Sequence, residues 1–321
     1  MKTMTLMLAA MLICAATHAA EVKYYDVPKG ARPHDVAPDP KPGGPVWYTA
    51  QGQGALGRLD PRTGTVEQIP LGAGSSPHGV IIGPDGAPWI TDSGLNAIVR
   101  VDPATREVKR FPLPVKSYAN LNTATFDKAG RLWFTGQAGY YGRLDPANGK
   151  VDAWQSPHGR GPYGIATTPA GAVYYASLAG NHIARIDLAT GKATPIAPPT
   201  SGQGARRVWS DSAGRIWVSE FNSGQVSRYD PRLAAAGKNA WRAWKLPGNG
   251  PRVYSVWVDE KDKVWLTDFS ANAIVRFDPV SETFESFPST TRAAGVRQML
   301  GRAGEAWGAE SGADRLVMVK H

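Results

Sequence analysis

Two histidines stand in matching contexts, "RPHDV" around His34 and "SPHGV" around His78. A neutral imidazole can take a proton near pH 7 or ligate a metal. The same place in five further stretches holds Asn122, Tyr163, Arg206, Tyr254 and Arg297. Every member of this set can form hydrogen bonds. His34, His78, Tyr254 and Arg297 are the candidate catalytic groups, and Asn122, Tyr163 and Arg206 the candidate substrate contacts. A second recurring set holds Ala50, Asp92, Gly136, Ser177, Glu220, Asp268 and Glu310. Carboxylates facing imidazoles would bind a hard divalent cation, Mg²⁺ or Ca²⁺, or share acid–base work. Glu220, Asp268 and Glu310 are the candidate ligands. A carboxylate at a recurring loop position serves equally to fix its own loop by accepting backbone amides. The sequence carries no serine–histidine–aspartate arrangement, phosphate-binding loop or HExxH pattern.

Both sets owe their spacing to a repeat. "GRLDPRTG" at Gly57 returns as "VRVDPATR", "GRLDPANG", "ARIDLATG", "SRYDPRLA" and "VRFDPVSE". Its aspartates, from Asp60 to Asp278, recur every 42 or 43 residues with one interval of 48, and "DRLVMVK" at Asp314 adds a seventh unit. An aromatic moves in step: Trp47, Trp89, Trp133, Tyr174, Trp217, Trp265 and Trp307. Each unit reads as four short strands. In the second, "HGVII" meets an Asp-Gly turn, then "PWIT", then the alternating strand "AIVRVD", a Pro-containing type I turn and "EVKRFPLP". "RLAAAGKNAW" is an insertion that accounts for the long interval, and no stretch has convincing amphipathic helix periodicity.

Four-strand units of about 40–45 residues are the signature of propeller blades. The expected fold is all-β, a seven-bladed β-propeller with one aromatic filling each contact between blades. "EVKYYDVP" at Glu21 has the form of a fourth strand with no first three before it, and the last unit has only three. The N-terminal strand should complete the C-terminal blade and remove an exposed edge. Residues 21–321 then form one domain. In such a ring the first strands line a central channel, and the two polar sets converge at one of its mouths.

Residues 1–20 read as an export signal: Lys2, the apolar "LMLAAMLICAA" and small residues before Ala20. The apolar run is too short for a membrane span of about 20 residues. The single cysteine, Cys14, lies inside it, so the mature chain offers neither a thiolate nor a disulfide. A periplasmic or secreted monomer is expected. The net charge of +9 is scattered, with no basic run and no nucleic-acid motif. The expected partner is a small-molecule or oligomeric ligand at the channel.

"SPHGV", "DGAPWITD" and "NAIVRVDP" together resemble the streptogramin B lyase (virginiamycin B lyase) family, and the resemblance runs through essentially the whole mature chain. It implies a seven-bladed propeller, and an enzyme that opens a cyclic ester by elimination with Mg²⁺. Family members carry histidines in "PHAI" of the sixth blade and "ExHGI" of the seventh, with a further glutamate after the seventh-blade tryptophan. Here Tyr254 and Arg297 occupy the two histidine places, Glu310 matches an expected acid, and His34 and His78 carry the histidine motif in the first and second blades. Three functions stay open: such a carbon–oxygen lyase, a divalent-metal lactonase of gluconolactonase type, and a non-catalytic binding propeller.

Overall fold

The computed structural model describes residues 20–321, so the expected export signal, with Cys14, lies outside the described residues apart from Ala20. Seven four-stranded antiparallel sheets follow one another in chain order. Blade 1, for example, comprises Pro33–Pro38, Val46–Ala50, Ala55–Leu59 and Val66–Pro70. The seventh joins Glu21–Asp26 to Arg315–Lys320, Glu305–Glu310 and Val296–Arg302. Glu21 faces Lys320 and Asp26 faces Arg315, so the first strand closes the last blade as the sequence implies. The "RLAAAGKNAW" insertion differs from expectation in containing a five-residue helix, Pro231–Ala235. Asp230 caps it through the amides of Arg232 and Leu233, and Pro231 occupies its first turn.

Each blade aromatic packs into the next blade. Trp89 shares a core with Leu121 and Phe134 of blade 3, Trp133 with Ile165 and Tyr175 of blade 4, and Trp217 with Val256 and Phe277 of blade 6. Trp307 packs with Val36 and Tyr48 of blade 1 and carries the contact across the closure. Burial of each such side chain contributes about 1.5–3 kcal/mol.

The turn before the aromatic is fixed by a buried carboxylate. Asp127, Asp211 and Asp259 each accept the indole Nε1–H of the tryptophan six residues on, at 2.8, 2.9 and 2.8 Å. Asp211 also accepts the amides of Ala213 and Arg215 and the Arg215 guanidinium. The more conspicuous repeat aspartates, in "DP" or "DL", hold outer turns instead; Asp187, in "DLATG", is exposed and its carboxylate accepts the amides of Ala189 and Thr190. Replacing Asp211 by Ala strands a buried indole donor and is expected to cost about 2–4 kcal/mol in urea unfolding. Asp187→Ala should cost about 1 kcal/mol or less. Equal losses would contradict the assignment of the clamp to Asp211.

Candidate functional site at the channel mouth

The ring residues owe their inward aim to a bulge. All seven first strands shift register against the second strand at the same place, between Pro33 and Val36 in blade 1 and between Ala205 and Val208 in blade 5. A bulge re-aims side chains that strict alternation would send to opposite faces. Two residues per blade therefore face the axis where the sequence reading named one. The second residues are Asp35, Gly79, Thr123, Gly164, Arg207, Ser255 and Gln298.

In five blades a hydroxyl in the second strand pins the bulge to its neighbour. Thr49 Oγ1 accepts the Asp35 amide at 3.0 Å and donates to the His78 carbonyl at 2.9 Å. Thr91 links Gly79 to Asn122, Thr135 links Thr123 to Tyr163, Ser219 links Arg207 to Tyr254, and Thr267 links Ser255 to Arg297. Ala176 and Ala309 hold this place in blades 4 and 7.

All seven predicted ring residues converge, and two chains of donors run through them. An arginine can only donate, which fixes the direction of each. Arg206 Nη2 donates to Tyr163 OH at 2.7 Å. Tyr163 then donates to Tyr254 OH at 2.9 Å, and Tyr254 to His34 Nε2 at 3.4 Å. Arg297 Nη1 also reaches His34 Nε2 at 3.4 Å. In the second chain Arg207 Nη1 donates to Thr123 Oγ1. Thr123 donates to Asn122 Oδ1 at 2.8 Å, and Asn122 Nδ2 to His78 Nε2 at 3.1 Å. The first chain ends on His34 Nε2, which accepts, so His34 carries its proton on Nδ1, while His78 Nδ1 is buried without a hydrogen-bond partner. In His34 that proton goes to Asp35 Oδ1 at 2.7 Å. The two imidazoles lie 3.8 Å apart, centroid to centroid.

Charge follows from this packing. Burial, and after it the positive charges of Arg297, Arg207 and Arg206, hold the His34 pKa well below the usual 6.5. His78 is lowered likewise, by burial and then by His34. Burial raises Asp35 although Arg207 lies 3.2 Å from its Oδ1. Burial pushes the Tyr254 phenol up, but Arg206, Arg207 and Arg297 together outweigh it and hold it at about 8. Burial and the neighbouring Tyr254 raise Tyr163.

The layer is close-packed. His34, His78, Asn122, Tyr163 and Tyr254 are at most 5% exposed. Arg206 and Arg297 are half-buried caps above them. The Arg206 guanidinium lies 3.8 Å from the Tyr254 ring centre, and Tyr254 stacks on Phe269 at 4.5 Å. At the other end of the channel the first strands enclose a largely apolar cavity of about 330 Å³, lined in part by Ile81, Phe126, Trp209, Trp257 and Leu300.

The three carboxylates expected to hold a cation do not join this layer. Glu220 accepts from Gln203 and Ser223, Asp268 from the amides of Arg252 and Ser270, and Glu310 from Arg315. Each ends a second strand, and there it fixes its own blade, as the loop-fixing alternative has it. Among the described residues, two other groups bring potential ligand atoms within 4.8 Å of one another and could hold a divalent ion. They are His34–Asp35–His78 in the channel and Asp259–Glu260–His321 beyond the far end of the blade 6 first strand. The channel group offers two imidazoles and one carboxylate whose Oδ1 is already bound by Arg207. Mg²⁺ and Ca²⁺ prefer oxygen ligands, so this set does not fit them. Asp35 and Arg207 escaped the sequence reading; the signal was a polar residue directly after the ring member in five of the seven blades, where alternation calls for an apolar one. His158 and His182 pack together at 4.8 Å outside this network, with His182 buried, and His321 lies against Trp265 at 4.9 Å.

Below about pH 6.5 the unfolded chain protonates imidazoles that the folded chain keeps neutral. Stability is therefore full above that pH and falls as pH falls, by up to about 1.4 kcal/mol per unit for each histidine. Asp35, raised in the folded state, opposes this loss. Urea unfolding between about pH 7 and pH 5.5 should give a shallower loss in His78→Asn than in the unsubstituted protein, because Asp35 is common to both. Equal slopes would contradict a neutral buried His78.

Comparison with known proteins follows the same lines. No curated protein sequence matches the chain. Among solved structures, selenomethionine-substituted virginiamycin B lyase from Staphylococcus aureus superposes with a TM-score of 0.85 at 19% identity, over 94% of this chain and 100% of that one. A catalytically inactive variant of the Staphylococcus aureus enzyme with quinupristin gives 0.84 at 20%, over 94% and 100%. The YCF48 protein bound to D1 peptide gives 0.72 at 14%, over 94% and 97%. At these identities the likeness is one of fold. The profile of the Virginiamycin B lyase family matches residues 4–236, most of the chain. The chain belongs to the virginiamycin B lyase family.

Proposed function

We propose that the chain is an exported carbon–oxygen lyase that cleaves an ester, of which a cyclic ester is the family's type, by elimination at the channel mouth. The observation that carries this reading is His34: Asp35 holds its Nδ1–H at 2.7 Å, while its Nε2 is unprotonated beside Tyr254 and Arg297. An imidazole oriented by a buried carboxylate, with its other nitrogen an unprotonated acceptor that a substrate takes over from Tyr254 and Arg297, is a general base. His34 Nε2 removes the proton from the carbon next to a carbonyl. Arg297 and Arg206 stabilise the enolate oxygen that forms. The carbon–hydrogen electron pair becomes a carbon–carbon double bond, the neighbouring carbon–oxygen bond breaks, and Tyr254 returns a proton to the departing oxygen. Water is not consumed. His78, fixed through Asn122, packs His34 into place.

No step in this scheme passes through a divalent ion. The metal-dependent lactonase reading is disfavoured because Glu220, Asp268 and Glu310 are engaged in their own blades. A non-catalytic binding propeller is favoured by one observation, the dense packing of the channel layer. For a substrate to reach His34, Arg206 and Arg297 must swing outward. The periplasm or the cell exterior is the proposed location, on the pattern of residues 1–20.

Turnover of quinupristin and of simple lactones in ¹⁸O-labelled water tests the reaction class. Elimination predicts an unsaturated product without the label; label in the product would mean hydrolysis and overturn the reading. His34→Gln should lower turnover by about 10²–10⁴-fold, and His158→Gln should leave it unchanged. Equal turnover in the two variants would remove His34 from the reaction.

A further inference from the structure

The channel layer holds more positive charge than it can neutralise. Arg206, Arg207 and Arg297 converge on it, and Asp35 is the carboxylate within its hydrogen-bond network. Asp35 binds Arg207 and His34 through Oδ1, and its Oδ2 is buried without a hydrogen bond. Among the described residues Arg206 and Arg297 have no acidic partner, and the Nε of each is buried without a hydrogen bond. Their side-chain hydrogen bonds go to neutral groups, Tyr163 OH and His34 Nε2. The nearby carboxylates do not make up the deficit, since Glu310 is paired with Arg315 and Glu220 and Asp268 are turned into their own loops. Tyr254, held at about 8, is the phenol these guanidinium groups draw toward its anion.

We infer that Arg206 and Arg297 form the binding site for a carboxylate on the substrate itself, borne by the carbon that loses its proton. The inference rests on the elimination reading and names its substrate class: an acid carrying an ester or ether oxygen one carbon beyond the carboxylate-bearing carbon. The chemistry requires such a site. A hydrogen next to a free carboxylate resists removal because the product is a dianion. Guanidinium groups that bind the carboxylate remove that obstacle by neutralising the developing charge. They present paired N–H donors that match a carboxylate. A neutral lactone develops one negative charge on its enolate and a bound carboxylate two, so the pair of guanidinium charges matches the acid more closely. The step balances: His34 Nε2 takes the proton, and the charge gathers on the carboxylate oxygens between Arg206 and Arg297. The double bond then forms as the carbon–oxygen pair leaves on oxygen, which takes a proton from Tyr254. No oxidant or water enters.

Calorimetric titration of the full mature chain tests this with propionate, D-lactate and D-galacturonate, each against its methyl ester. At least one acid is expected to bind about tenfold or more tightly than its ester, and added salt should weaken that binding. Arg297→Gln and Arg206→Gln should each reduce it by about tenfold, with unchanged circular dichroism. The acid should also move the ultraviolet titration of Tyr254 upward, a shift missing in Tyr254→Phe. No response to any acid, an ester that binds as well as its acid, or sulfate that binds as well as the acids would each overturn the inference. A parallel assay follows the ultraviolet absorbance of the conjugated acid released from oligogalacturonate. Acid binding without such a product leaves the carboxylate site standing and fails the lyase reading for this substrate. Elimination from neutral lactones with no acid binding does the reverse.

Discussion

In five of the seven blades one hydroxyl decides where the chemistry can sit. Thr49 takes the amide of Asp35 from its own blade and gives its proton to the carbonyl of His78 in the next. Repeated by Thr91, Thr135, Ser219 and Thr267, this bond carries position from bulge to bulge around the ring. A bulge leaves backbone groups outside the sheet ladder, and buried backbone groups must find partners. Where it is present the hydroxyl supplies both at once, so the axial residues of that blade are set by the neighbouring blade as well as by their own. A binding site built this way is held by closure of the whole ring, which depends in turn on the pairing of Glu21–Asp26 with Arg315–Lys320.

On that scaffold the electrostatics are lopsided. Three guanidinium groups and one carboxylate share a layer whose histidines are kept neutral by burial and by those same charges. Two consequences conflict with a dication held by carboxylates. The repeated acids are spent inside their own loops, and the imidazole pair sits beside cations. Membership of the family carries the fold across, while Tyr254 and Arg297 stand beside His34 in the ring and belong to the proposed chemistry.

Much of this was legible in the sequence because the repeat is written twice, in the aspartates from Asp60 to Asp278 and in the aromatics from Trp47 to Trp307. Register of two independent anchors fixes blade number, strand order and the closing strand. The ring of His34, His78, Asn122, Tyr163, Arg206, Tyr254 and Arg297 was legible for the same reason. Asp35 and Arg207 were not, because period-two alternation turns each away from the axis and only the bulge turns it back. The acids misled in the opposite sense. Glu220, Asp268 and Glu310 lie at the correct mouth by register, beside the starts of the first strands. Yet they end second strands, where donors of their own blade engage them: Gln203 and Ser223, Arg252 and Ser270, and Arg315.

The account stands on a neutral His34 whose proton lies on Nδ1 against Asp35 and whose Nε2 is an unprotonated acceptor facing Tyr254 and Arg297. Nitrogen-15 NMR of the imidazole side chains reads that state directly, with His34→Gln identifying the signal. At about pH 6, just below the ordinary histidine value, where a free imidazole would be mostly charged, the account predicts a neutral His34 protonated on Nδ1 alone. A doubly protonated ring, or a proton on Nε2, would contradict it.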